Sequence, residues 1–163
     1  MTEPVSRAVV EAFYEAYRSR DPLRIADFLD DDVEWHIGGP PTVMQVCGLW
    51  RGKAAVVDRF ARIVPHIIEF KRLETECLLV DGDRSALFGR IVSRHIASGR
   101  IISHRMAHFV RYRAGKVVSL YAINDSLDAA EQYIGHRIDL DPGHHRIDLV
   151  PEVESADDNL FAL

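Results

Sequence analysis

His104 and His108 alternate with Ile102, Met106, Val110 and Tyr112 along residues 100–112. In an extended strand that parity sends all six side chains to one face. Ala114-Gly115 is turn chemistry, and a two-residue turn pairs Arg113 with Lys116. That register sets His108 opposite Tyr121, Met106 opposite Ile123 and His104 opposite Asp125. Directly opposed side chains have Cβ atoms about 4.5–5.5 Å apart, so a histidine facing a carboxylate makes an oriented acid–base dyad. A turn one residue longer puts Asn124 in place of Asp125 on that face. A three-residue loop at Ala97-Ser98-Gly99 brings Phe88, Arg90, Val92 and Arg94 to the same face. Two arginines on a cavity wall favour an anionic or carbonyl-rich ligand. The chemistry this predicts is proton transfer at carbon. A base lifts the proton, and an imidazole, tyrosine or arginine holds the developing oxyanion. No metal is expected: four residues along a strand separate His104 from His108 by roughly 13 Å, too far to chelate one ion.

The elements that position these residues are legible. Val9, Val10, Phe13, Ala16 and Tyr17 give a helix over residues 3–19. Asp21-Pro22 starts a second, short helix, with aspartate as cap and proline in the first turn. Val33-Glu34-Trp35-His36-Ile37 reads as extended until Gly38-Gly39-Pro40-Pro41 breaks it. Residues up to Gly52 read as loop. A third helix, Lys53–Val64, carries the stripe Ala54, Val57, Phe60, Ile63 and Val64, and Pro65 closes it. Residues 70–80, 84–96, 100–113 and 116–124 read as four strands joined by tight turns, an antiparallel meander. A last helix is predicted over 126–134, with Asp125 or Ser126 as its cap. Helices first and a sheet afterwards make an α+β arrangement with a cavity between the layers.

The chain has 163 residues, 47% hydrophobic and 28% charged, which fits one globular domain and excludes a disordered chain or a coiled-coil rod. A net charge of −5 argues against nucleic-acid and anionic-membrane partners. Eight histidines against three lysines make imidazole the prevalent group titrating near neutrality. Met1-Thr2-Glu3-Pro4 has neither a basic nor an apolar leader region, and no run is long enough to span a membrane, so a cytoplasmic location is expected. Cys47 and Cys77 do not make a disulfide framework, and Cys77 in its apolar run is expected in the core. From His136 the chain becomes acidic and aperiodic. Residues 136–163 are expected to be a tail, extended or laid with Ile147, Leu149 and Val150 on the domain or a partner.

Four local patterns then resemble a known family. They are Phe28-Leu29-Asp30-Asp31-Asp32-Val33-Glu34-Trp35-His36, Leu49-Trp50-Arg51-Gly52-Lys53-Ala54-Ala55-Val56, Phe109–Val118 with its Ala114-Gly115-Lys116 turn, and Asp125 followed by Gln132 and Gly135. In this order they resemble the nuclear-transport-factor-2-like superfamily, in its SnoaL-like and ketosteroid-isomerase-like branch, over residues 5–135. The resemblance implies a cone-shaped roll: a curved, mainly antiparallel sheet wrapped around the N-terminal helices, with a ligand cavity. It implies a domain over residues 1–135, a hydrophobic small-molecule ligand, no cofactor, and a homodimer through the outer sheet face. Position by position, His36 falls where ketosteroid isomerases carry their base and His108 where they carry an oxyanion-hole acid. Phe13 falls at their oxyanion-hole tyrosine, with Tyr14 and Tyr17 beside it. The acid–base aspartate of SnoaL-like cyclases falls on Asp125, and their strand histidine on His104 or His108. The resulting expectation is a cyclase or isomerase in which His36, His104, His108 and Asp125 transfer protons. Phe13, Tyr14, Tyr17, Trp35, Phe88, Arg90, Arg94, Met106, Tyr121 and Asn124 would bind the substrate. The rival expectation is a non-catalytic binding or dimerisation module of the same fold.

Overall fold

The structure is a computed structural model that describes residues 3–139. The tail expected from residue 136 therefore falls, beyond residue 139, outside the described residues. Helix α1 (Arg7–Ser19) starts at Ser6, whose side chain accepts from the Val9 amide. It buries Val10, Phe13, Tyr14, Ala16 and Tyr17, a stripe at helical spacing that faces the sheet. Asp21 caps α2 (Pro22–Ala26) by accepting from the Leu23 and Arg24 amides. Strand β1 (Leu29–Ile37) is longer than expected. Strand β2 (Gly48–Arg51) occupies a stretch read from sequence as loop.

The third helix differs in kind from the expectation. It is built as α3 (Lys53–Asp58), a π-helical turn (Arg59–Ile63) and α4 (Val64–Ile67). The wider π turn rotates the inward face. Val56, Arg59, Phe60 and Ile67 are buried, whereas the predicted stripe residue Ile63 is 41% exposed. Pro65 lies in the first turn of α4, directly after the π turn, rather than ending the helix.

Strands β3 (Ile68–Asp81), β4 (Arg84–His95), β5 (Ile101–Arg113) and β6 (Lys116–Asn124) form the expected meander. Helix α5 (Ser126–Ile134) follows. The sheet order is β2-β1-β6-β5-β4-β3, with β1 parallel to β6 and every other pair antiparallel. Register shifts interrupt the β1–β6, β3–β4 and β5–β6 ladders. Such bulges bend and twist strands, which lets six of them curve around a helix. Gly89 serves the same bend: a Cβ there would stand 2.1 Å from the Glu74 carbonyl oxygen. Cys77, expected in the core, is exposed on the edge strand β3. One apolar cluster joins α1 to the concave sheet face through Phe13, Trp35, Leu87, Val110, Tyr112 and Leu120. A second cluster packs Met44 and Cys47 with Ile102 and α5 at the other end.

Candidate active site

Strand β5 sends Ile102, His104, Met106, His108, Val110 and Tyr112 inward, all buried, as its parity requires. The β5–β6 hairpin turns at Ala114-Gly115 with Arg113 opposite Lys116. A bulge then intervenes. Tyr112 partners Val117 but Arg111 partners Ser119, leaving Val118 as the extra residue. The consequence is a correction to the expected register. His108 faces Ala122, Met106 faces Asn124, and Tyr121 faces Phe109 instead of His108. One added residue reverses the face of everything beyond it. Asn124 therefore points inward, while Asp125 and Tyr121 are exposed. Asp125 sits at the cap position of α5 with no side-chain capping bond, and its amide donates to the Arg105 carbonyl at 3.0 Å.

The β4–β5 connection holds one more residue than expected, because the His95 amide closes on the Arg100 carbonyl at 2.8 Å. Leu87 lies opposite His108 and Ile91 opposite His104. The inner face of β4 is thus Leu87, Gly89, Ile91 and Ser93. Phe88, Arg90 and Arg94 lie on the outer face, the second correction. Arg90 donates to the Ser103 hydroxyl at 3.3 Å, and Arg94 pairs with Glu69 at 2.7 Å. His36 is the third. Trp35 takes the inward position on β1, and the His36 ring rests on Tyr121 at the outer face, centroids 4.4 Å apart. Phe13 and Tyr14 are buried behind the cavity rather than lining it.

The cavity lies between the sheet, the C-terminal end of α1, the π turn and α5. Of the expected residues, it brings together His104, His108, Asn124, Tyr17, Trp35 and Met106. Arg20, Arg59 and Ser93 add polar groups, and Met44, Phe60 and Ala122 add apolar wall. No carboxylate among the described residues lines it. Its free volume is about 60 Å³, room for a few waters. Met44, carried on the segment Pro40–Cys47, forms one wall. That segment is tied down at Gly38, whose carbonyl accepts from Asn124 Nδ2 (2.8 Å) and from Cys47 Sγ (3.4 Å). It is tied again at Gln45, whose carbonyl accepts from Arg59 at 2.8 Å.

These contacts fix a tautomer. The Gly38 carbonyl can only accept, so the Asn124 amide presents its NH₂ there and its Oδ1 to His104. His104 Nε2, 3.2 Å from that oxygen, must be the protonated nitrogen. Its Nδ1 then carries the lone pair, and that atom is buried without a partner. Burial lowers the basicity of His104, partly offset by the Asn124 bond. His108 is deeper. Desolvation and then the nearby Arg20 charge press its pKa down to about 3, so it is a neutral imidazole at physiological pH. Its ring stacks on Tyr14 (centroids 6.0 Å) and meets the edge of Tyr17 (5.3 Å). Its Nδ1 is also unpartnered.

Arg59 is a buried cation without a carboxylate among the described residues. Its guanidinium stacks 3.5 Å above the Trp50 ring, and its Nε is orphaned. Burial pulls its pKa down to about 10, so it remains charged at neutral pH. Burial also pushes the Cys47 thiol up to about 11, so that group does not neutralise it. Arg20 ends α1 in the left-handed region, φ 58°. It lies 3.8 Å from the Phe70 ring centroid and 4.1 Å from that of Tyr17. Neither arginine was among the residues expected from sequence. The available signal was a cation continuing a buried helical stripe: Arg20 after Val10, Phe13 and Tyr17, and Arg59 after Val56.

With this geometry established, the comparisons become informative. The profile of the SnoaL-like domain matches residues 10–120. The chain belongs to the SnoaL-like domain family, with the nuclear-transport-factor-2-like cone fold. A candidate isomerase from Rhodopseudomonas palustris is similar at 28% identity and TM-score 0.67, covering 78% of this chain and 93% of its own. A nuclear-transport-factor-2-like protein from Burkholderia thailandensis is similar at 23% identity and TM-score 0.66, covering 77% and 94%. A candidate polyketide cyclase from Pseudomonas putida is similar at 18% identity and TM-score 0.61, covering 76% and 94%. No curated protein matches the chain. Among the described residues no helix is long and apolar enough to cross a membrane.

Proposed function

We propose that the cavity is a cofactor-free proton-transfer site of the cyclase or isomerase type, acting on a small hydrophobic substrate with an enolisable carbonyl. The observation that carries this reading is the chain Gly38 carbonyl, Asn124 amide, His104 imidazole, which leaves a bare His104 Nδ1 buried in a cavity that no carboxylate among the described residues lines. In this reading Nδ1 takes the proton from the carbon beside the carbonyl as that C–H bond breaks. The electron pair moves onto oxygen, where the neutral His108 ring and the Arg59 guanidinium stabilise the enolate. The proton now on His104 returns to another carbon in an isomerisation, or to the new alkoxide after an aldol-type ring closure. Asn124 orients the ring as an aspartate would, and its neutral amide raises the ring's basicity without fully offsetting burial. His36 and Asp125, on other surfaces, are left out of this mechanism.

The test uses benzoylacetone, a neutral diketone, in deuterated water. The wild-type chain is expected to accelerate exchange of its acidic C–H, followed by proton NMR. His104→Gln is expected to reduce that acceleration by about a hundredfold, the usual contribution of one general base. Buffer-level exchange with the wild type would defeat the reading. So would full activity in His104→Gln. The small free volume of the cavity favours a second reading, a binding module, and benzoylacetone binding without exchange would select it.

The reading includes a homodimer built on the outer sheet face. Phe88, Phe109, Tyr121 and Ile123 are all exposed there on adjacent strands, and a contiguous apolar patch supports burial against a second copy. Free thiols at Cys47 and Cys77 support a reducing, cytoplasmic setting.

A further inference from the structure

We propose that Arg20 is an anion-binding residue at the neck of the cavity, so that the substrate carries a carboxylate beside its enolisable carbonyl. This inference rests on the proton-transfer reading and names the substrate class of the same site.

Three observations on one side chain support it. The first is backbone. Arg20 follows α1 at φ 58° and ψ 10°, its amide bonded to the Tyr17 carbonyl. That is the position where helices most often place glycine. A residue with a Cβ is strained there. Among the described residues only Ala114, inside the tight hairpin turn, shares a positive φ without being glycine. The second is chemistry. The left-handed turn directs the guanidinium between the Tyr17 and Phe70 rings, where Nε and one terminal nitrogen are buried without any acceptor. No carboxylate among the described residues pairs with it. Aromatic faces stabilise the charge but leave the N–H groups unsatisfied, a cost that a planar carboxylate removes with two parallel bonds.

The third is position. Arg20, Phe60, Val64 and Ile68 line both the inner cavity and an adjoining open basin of about 530 Å³. Arg18, Lys71 and Arg94 also line this basin, against the single carboxylate of Glu69. Arg18 is spent on the Thr75 hydroxyl, and Glu69 pairs with Lys71 and Arg94. The basin thus attracts anions, and among the described residues Arg20 is the one cation that lines both it and the cavity. A ligand with its carboxylate at the neck would have its apolar carbonyl end among Tyr17, Met106 and the two histidines.

The arrangement also couples binding to chemistry. The Arg20 charge is one of the two causes that hold His108 neutral, after burial. A carboxylate on Arg20 offsets that charge, so a bound acid makes His108 more basic than a neutral ligand does.

Calorimetric titration of the full chain with benzoylacetate and with benzoylacetone, which differ by a carboxylate in place of an acetyl group, tests the inference. The wild type is expected to bind benzoylacetate at least about tenfold tighter, the difference that 1.4 kcal/mol represents. Arg20→Gly suits the left-handed backbone and is expected to fold with an unchanged or raised melting temperature, yet to abolish the preference. Arg20→Lys keeps the charge without the planar fork and is expected to retain only part of it. Equal affinities in the wild type, or a preference that survives in Arg20→Gly, would overturn the inference. The two readings separate cleanly. Exchange of benzoylacetone without any acid preference rejects the role of Arg20 and keeps proton transfer. An Arg20-dependent preference without exchange on either probe keeps the anion site and rejects proton transfer.

Discussion

Burial decides what the two inner histidines do. His104 keeps one defined tautomer because Asn124 accepts from its Nε2, and His108 is too deeply desolvated to charge. The same burial makes the fold sensitive to acid. In the unfolded chain the His108 imidazole takes up its proton near 6.5; in the folded chain it does so only near 3. Between those values the unfolded state binds more protons, so stability falls as pH drops from 6.5 toward 3. The loss is at most about 1.4 kcal/mol per pH unit for one such group. His104, shifted in the same direction, adds to it. Denaturant unfolding measured across this range is expected to show that slope, and His108→Gln is expected to flatten it. An unchanged slope in the variant would contradict neutral burial of His108.

At the scale of elements, the sequence and the structure part company over single residues. The alternation of His104, Met106 and His108 with charged or small neighbours identified the inward face of β5, because a strand half-buried against a core must alternate. The hairpin turn at Ala114-Gly115 was equally legible. What a turn does not reveal is a bulge. Val118 inserts itself beyond the turn and exchanges Asp125 for Asn124 at the cavity. The connection after β4 shows the same sensitivity: one more loop residue moved Arg90 and Arg94 to the outer face and put Ile91 and Ser93 inside. The π turn at Arg59–Ile63 obeys the same logic in a helix, rotating Arg59 inward and Ile63 outward. Periodicity finds an element and its two faces. Which face a distant residue joins depends on insertions whose cost is set by curvature of the whole sheet. Arg20 was hidden for a different reason: it continues the α1 stripe, but periodicity does not tell a buried cation at a helix end from a solvated one.

At the scale of the molecule, the curved sheet has two unlike faces. The concave side encloses α1, the aromatic cluster and the cavity. The convex side exposes Phe109 at 52%, Tyr121 at 46% and Ile123 at 49%, with the His36–Tyr121 pair beside them. If that side joins a second copy, the wild type is expected to sediment as a dimer. Replacing both Phe109 and Tyr121 with lysine is expected to give a folded monomer, because both side chains already point away from the core. A wild-type monomer at all accessible concentrations would remove the dimer from the account.

On the proton-transfer reading His104 stands in the cavity as a neutral base with its Nδ1 free. Nitrogen-resolved NMR of the histidine rings reads this directly. At neutral pH His104 is expected to carry its proton on Nε2, its Nδ1 resonance to have the position of a bare imine nitrogen, and benzoylacetone to perturb that resonance. A proton on Nδ1, or a charged ring at neutral pH, would contradict it.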